Sequence, residues 1–218
     1  MAELVYALGL GSSEATHEGS SPFIDTMHYR NYSTIHSNYR VYEPVILQCP
    51  FAEEINPGLM EWIKRDATAI IDDGEARRTG MRPYQMEIPC EELKTLLDWI
   101  DSEKLECAED IAQATNSAYY SSPPQCKNFY IADYWGMWYN KNAHARYHNH
   151  YPYAMSFAYY VNCPEGSSPL VLEGNELQVT EGRLIVFAGH MNHQVDPCPV
   201  DNRFMIAGNI AYTGFMRV

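Results

Sequence analysis

The residues of this 218-residue sequence best suited to chemistry are His148-Asn149-His150. On a β-strand, residues i and i+2 point to the same face, so the two imidazoles would stand side by side. Joined by a third imidazole from a distant strand, they can ligate a metal ion facially and leave its other positions open. An H-x-H alone serves equally well as a pair of hydrogen-bonded structural histidines. What distinguishes this one is order: His148-Asn149-His150 is followed by His193, and Arg203 comes ten residues later. Two further histidines, His144 and His190, lie in the same stretch and could line the mouth of such a site.

The elements around these residues differ between the two halves of the chain. The first 35 or so residues, rich in Gly, Ser, Thr and His, read as an arm or turns. A short strand is expected around Tyr39 to Leu47. Asn56-Pro57-Gly58 reads as a helix start, and apolar residues at three-to-four spacing predict an amphipathic helix from Leu59 to Ile71. A second helical stretch runs from Pro89 to Thr115, with a break expected near Ser102. After Pro123-Pro124 the texture turns aromatic and β-branched. Tyr130–Tyr139, Tyr153–Val161, Leu170–Glu173, Arg183–Phe187 and Arg203–Tyr212 read as strands. The expectation is one domain over 1–218, in the α+β class but mainly β. A helical part, about 1–123, would support a β-barrel or sandwich, about 124–218.

Composition excludes several roles. Lys plus Arg number 15 and Asp plus Glu 28, a formal charge of -13. So acidic a chain makes a poor binder of nucleic acid or anionic membrane, which need clustered cations. There is no apolar run long enough for a transmembrane helix. The first Lys or Arg is Arg30, so the N-terminus lacks the basic region of a secretory signal, and a cytoplasmic location is expected. The six cysteines are scattered without a C-x-x-C pair and are expected as reduced thiols. Tyr29, Tyr32, Tyr39 and Tyr42 make the N-terminal arm aromatic enough to dock on a second copy in a homodimer.

From Trp135 to Ile210 the sequence resembles the iron(II)- and 2-oxoglutarate-dependent oxygenases, and most of all a small branch found in phages and marine bacteria. The resemblance rests on Tyr139, His148-Asn149-His150 and Ser156-Phe157-Ala158-Tyr159-Tyr160-Val161. It continues through Pro164-Glu165-Gly166, Gly182-Arg183-Leu184-Ile185-Val186-Phe187, His193-Gln194-Val195-Asp196-Pro197 and Arg203. It implies a double-stranded β-helix, the jelly-roll or cupin-like barrel. It also implies Fe(II) held by His148, His150 and His193. Arg203 would pair the far carboxylate of 2-oxoglutarate through its planar guanidinium fork, with the Tyr139 hydroxyl beside it. His190 as the distal ligand would fit the offset to Arg203 less well. Of Tyr159 and Tyr160 only one can face the barrel interior; Tyr159 is expected there, and neither is expected to act in catalysis.

The sequence departs from the wider superfamily in three places. The carboxylate of the usual H-x-D is replaced by His150, Phe187 is followed by Ala188-Gly189, and Met205 stands where a hydrogen-bonding serine is usual. The implied activity is hydroxylation of a small molecule or peptide. A three-histidine cupin-like dioxygenase without 2-oxoglutarate, a zinc hydrolase and a non-catalytic β-barrel binding module are the rival readings.

Overall fold

The structure, a computed structural model, describes residues 35–37, 40–42, 44–70, 76–115 and 129–212. Of 35–37, 40–42, 105–106 and 108–115 it describes the backbone alone. The N-terminal arm expected to dock on a second copy lies outside the described residues. Among the described residues two helices, α1 (Ala52–Asp66) and α2 (Glu91–Thr115), accompany fourteen strands. Before the barrel these are β1 (Ile35–Ser37), β2 (Arg40–Tyr42), β3 (Val45–Gln48), β4 (Ala69–Ile70), β5 (Arg77–Arg78) and β6 (Arg82–Pro83). The barrel strands are β7 (Phe129–Tyr139), β8 (Ala145–His148), β9 (Met155–Asn162), β10 (Leu170–Leu172), β11 (Asn175–Leu177), β12 (Arg183–Ala188), β13 (His193–Val195) and β14 (Arg203–Tyr212).

From β7 onward the chain shuttles between two antiparallel sheets. The major sheet runs β3-β12-β9-β14-β7-β5-β4, with β6 also on β7, and the minor sheet runs β11-β10-β13-β8. This alternation is the double-stranded β-helix that the resemblance implied. The N-terminal part does more than supply helices: β3 extends the major sheet beyond β12, and β4 to β6 extend it beyond β7. Among the described residues no helix is long and apolar enough to cross a membrane. Cys49, Cys90, Cys163 and Cys198 are free thiols.

Both faces of the major sheet are buried, and the register sorts them. Trp135, Met137 and Tyr139 of β7 stand opposite Ala207, Met205 and Arg203 of β14 and face the barrel interior. The alternate residues face the helices. There Leu59, Trp62 and Ile63 of α1 are sealed against the sheet, with Trp62 edge-on to Tyr134 at 6.4 Å between ring centroids. Leu93, Leu96 and Leu97 of α2 close the same layer. Full burial of each such side chain stabilises the fold by about 1.5–3 kcal/mol.

The helices differ from the sequence expectation in three ways. α1 begins at Ala52, so Pro57 lies inside it. Proline there removes one backbone bond, but Ala52, Ile55 and Asn56 in that first part are all buried, and their packing outweighs the loss. α1 also stops at Asp66, because Ala69 and Ile70 leave to pair with β5. α2 runs unbroken through Ser102, whose hydroxyl donates to Trp99 O at 2.6 Å within its own helix.

Gly136 marks a close approach of α1 to the sheet. A Cβ built there would lie 2.6 Å from Ile63 Cγ1 and 3.2 Å from both Thr79 and Trp62. Gly136→Ala is expected to destabilise the protein by about 1–3 kcal/mol, measured as a lower urea midpoint at unchanged slope.

Candidate metal centre

His148 is the last residue of β8 and His193 the first of β13, and the two are directly paired across the minor sheet. His150 lies just beyond the strand end. Its backbone N–H donates to Gly189 O at 2.8 Å, which ties it to the chain leading into β13. Side chains reinforce the junction. Asn149 Nδ2 donates to Asn192 Oδ1 at 3.0 Å, and the Asn192 backbone N–H donates to Glu173 Oε1 at 2.6 Å. The segments flanking all three histidines are thus bound to one another without using an imidazole.

The three rings converge. Centroid separations are 4.3 Å for His148–His193, 5.0 Å for His150–His193 and 5.2 Å for His148–His150. One ring nitrogen from each lies within 4.8 Å of the others, the only such cluster of three among the described residues. His148 Nδ1 is 2.6 Å from Arg146 O, and His193 Nδ1 is 3.3 Å from Met191 O. A carbonyl only accepts, so the proton sits on Nδ1 and the Nε2 lone pair is left for a cation. Burial, then the neighbouring His148, lower His150 to about 4. Burial, then His148 and His150, lower His193 to about 3. Both rings are therefore neutral at physiological pH, as metal ligation requires.

Behind His150 lies a buried polar chain. Asn209, whose side chain stands beside that of His150, donates through Nδ2 to Asp133 Oδ1 at 2.7 Å. Asn209 Oδ1 accepts from Ser156 Oγ at 3.0 Å, and Asp133 Oδ2 accepts from Tyr153 OH at 2.8 Å. The carboxylate absent from the H-x-D position is therefore present one residue further out, at Asp133. On its other side His150 stacks on Trp135 at 5.8 Å. None of Asp133, Ser156 and Asn209 was given a role from the sequence, where Ser156 figures only as part of a strand motif. The available signal was the strand register that places all three in one row.

The histidines line a cavity of about 160 Å³. Its walls are mostly apolar, with Met137, Phe187, Leu170 and Met205 prominent, and among the described residues no carboxylate lines it. Tyr139 lines it too, and behind Tyr139 lies Arg203, with no exposed surface. The guanidinium carbon sits 4.8 Å from the Tyr139 ring centroid and 5.4 Å from that of Tyr160. None of the three guanidinium nitrogens has a hydrogen-bond partner among the described residues, and neither does Tyr160 OH. An unpaired buried cation costs several kcal/mol, so this end of the site fits an anionic group.

Two spare residues resolve differently from expectation. Tyr160, not Tyr159, faces Arg203 in the barrel; Tyr159 points to the helices, where its hydroxyl donates to Asn56 Oδ1 at 2.7 Å. Both are fully buried, because α1 covers the outer face of β9, and alternation alone does not choose between two buried faces. His144 is not in the cluster; its Nδ1 is 3.3 Å from Asn142 O. His190 is also outside it, and is exposed.

No protein-family model matches the sequence, and no curated protein does. Solved structures match its shape. An oxidoreductase of the 2OG-Fe(II) oxygenase family from Burkholderia pseudomallei superposes with a TM-score of 0.54 at 12% identity, covering 77% of this chain and 85% of that one. A Pseudomonas putida prolyl-4-hydroxylase gives 0.52 at 20% identity over 78% and 93%. A viral collagen prolyl hydroxylase from Paramecium bursaria Chlorella virus-1, solved as its 2OG complex, gives 0.54 at 12% over 77% and 94%. At these identities the likeness establishes a shared fold.

His148→Ala and His193→Ala are each expected to abolish stoichiometric Fe(II) binding, since each removes one of three convergent ligands. Asn209→Ala is expected to keep binding but weaken it about 10–100-fold, the usual consequence of releasing a ligand's outer partner. Anaerobic Fe(II) titration of the three variants checks both statements.

Proposed function

We propose that the protein is an Fe(II)- and 2-oxoglutarate-dependent dioxygenase that hydroxylates a substrate C–H. Iron would be held by His148, His150 and His193, and the distal carboxylate of 2-oxoglutarate by Arg203. The observation that carries this reading is the Arg203 guanidinium. It is fully buried, lacks a partner among the described residues, and sits behind a wall of the cavity that the three histidines line. The donor set suits the metal: three neutral imidazoles on one side of a cavity make a facial set.

When bound, the pair would supply the oxidising chemistry: dioxygen gives one oxygen atom to 2-oxoglutarate, which becomes succinate and carbon dioxide, and the other to the substrate. The protein's own share is placement and charge. Arg203 would anchor the co-substrate by a bidentate, charge-assisted pair in a site without water access, where such pairs are strongest. Tyr139 and Tyr160 flank that guanidinium with their rings, and the Tyr160 hydroxyl, itself unpaired, would supply the donor that Met205 cannot. Three neutral ligands leave the metal fragment at +2 rather than +1, which favours a dianionic chelator. Asp133, bound through Asn209, would return part of that charge to His150.

A second reading keeps the metal and omits 2-oxoglutarate, as in three-histidine cupin-like dioxygenases. It leaves the buried Arg203 cation without an anion. A zinc hydrolase would need a general base, and among the described residues no carboxylate lines the cavity. A non-catalytic module would not require the three imidazoles to face an open cavity.

Anaerobic addition of Fe(II) and then 2-oxoglutarate is expected to produce the metal-to-ligand charge-transfer band of the chelate, saturating at one equivalent. Iron binding without the band would favour the second reading, and no metal binding would favour the module. Arg203→Ala should raise the 2-oxoglutarate concentration needed for half-saturation at least tenfold at unchanged iron affinity. His150→Asp should keep iron, because a carboxylate there restores the H-x-D pattern.

A further inference from the structure

The cavity carries a second arginine that this scheme does not use. Arg78 lies on β5, the strand flanking β7 on the side away from β14. Its Cα partner is Met137, and that of Arg77 is Trp138. Strand alternation sends the two arginines to opposite faces. Arg77 goes outward and covers the Trp138 ring, its guanidinium carbon 5.2 Å from the centroid. Arg78 turns inward and lines the same cavity as His148, His150 and His193. Its Nε is buried without a hydrogen-bond partner among the described residues. In the register, Met137 falls between Trp135, which stacks on His150, and Tyr139, which covers Arg203. Arg78 therefore enters the cavity between the metal end and the Arg203 end, from the same sheet but on the side of β7 away from β14.

In a protein of net charge -13 an unpaired cation is conspicuous. The neighbouring arginines are engaged: Arg77 on Trp138, and Arg82 with Asp66 at 3.6 Å. Arg78 alone of these is turned into a cavity with no carboxylate. A half-buried guanidinium offers a planar fork that matches two carboxylate oxygens. A phosphate would bring a second charge, and among the described residues no other arginine or lysine lines the cavity to meet it. Two anion positions thus exist, one fully enclosed at Arg203 and one nearer the opening at Arg78.

We propose that Arg78 binds a carboxylate of the substrate, so that the substrate is a small carboxylate-bearing molecule whose apolar part lies against Met137, Leu170, Phe187 and Met205. This deepens the oxygenase reading and rests on it in one respect: Arg203 must be taken by the co-substrate. The arrangement would fix the reacting C–H by holding the substrate at a point away from the iron, which is how remote binding orients a reaction.

The test uses butanoate, 3-methylbutanoate and N-acetyl-L-valine, each paired with its primary amide, in anaerobic calorimetry on the protein loaded with Fe(II) and 2-oxoglutarate. At least one acid is expected to bind about tenfold or more tightly than its amide. Arg78→Gln should abolish that preference and Arg78→Lys should retain part of it. Neither variant should alter the charge-transfer titration with 2-oxoglutarate. Equal affinity for acid and amide overturns the proposal, as does failure of every acid to bind at millimolar concentration. A preference surviving in Arg78→Gln does so too, and a weakened 2-oxoglutarate titration in that variant would assign Arg78 to the co-substrate instead. The same calorimetry on metal-free Arg203→Gln protein separates the two readings. An acid preference there that vanishes on adding Arg78→Gln sustains the carboxylate site even if no charge-transfer band ever forms.

Discussion

The direct pairing of His148 with His193 across the minor sheet is the constraint on which the site depends. β8 and β13 are four and three residues long, too short to hold a register by themselves. A slip of one residue would turn one imidazole to the other face. The register is held from outside the strands, by the Asn149–Asn192–Glu173 chain and by the His150 N–H on Gly189 O. Gly189 in turn donates to Ala154 O at 2.9 Å, which links the junction to the start of β9. The placement of the three imidazoles is thus inherited from the major sheet and not from the short strands that carry them.

The major sheet can carry that load because it is buried on both faces. Its outer face packs on α1 and α2, and its inner face forms the cavity wall. The strands that position chemistry, β7, β9 and β14, are also the most enclosed. A rigid wall of this kind holds charged groups in place without solvent to screen them. The distribution of charge follows from it. Burial holds His150 and His193 neutral at physiological pH, the nearest carboxylate is withdrawn to Asp133, and among the described residues the Arg203 guanidinium and the Arg78 Nε stand without hydrogen-bond partners on either side of β7. The site is therefore an electropositive cavity in an acidic protein, organised to receive anions from within a surface that repels them.

The convergence of His148, His150 and His193 was legible in the sequence because an H-x-H followed by a distal histidine is a recognisable order. The long strands were legible too, from their β-branched and aromatic residues. The short strands β8, β11 and β13 were not, because three or four residues carry no readable period. Tyr160 was mistaken for Tyr159 for a related reason: with β9 buried on both sides, the apolar pattern is continuous and gives no face. Pro57 and Ser102 misplaced a helix start and a helix break, because local preference was outweighed by the packing of Ile55 and Asn56 and by a hydroxyl satisfied within its own helix.

The sequence by itself determined which groups were available: three imidazoles, one arginine at a telling offset, an acidic surface and a barrel-forming half. Only the tertiary structure decided what stands behind them. Asp133 and Asn209 lie 76 residues apart and meet because β7 and β14 pair. Arg78 reaches the cavity because a two-residue strand from the N-terminal part adds itself to β7. Such contacts leave no local trace in the sequence. They arise from the pairing of distant strands, and that pairing depends on the cooperative burial of the whole sheet.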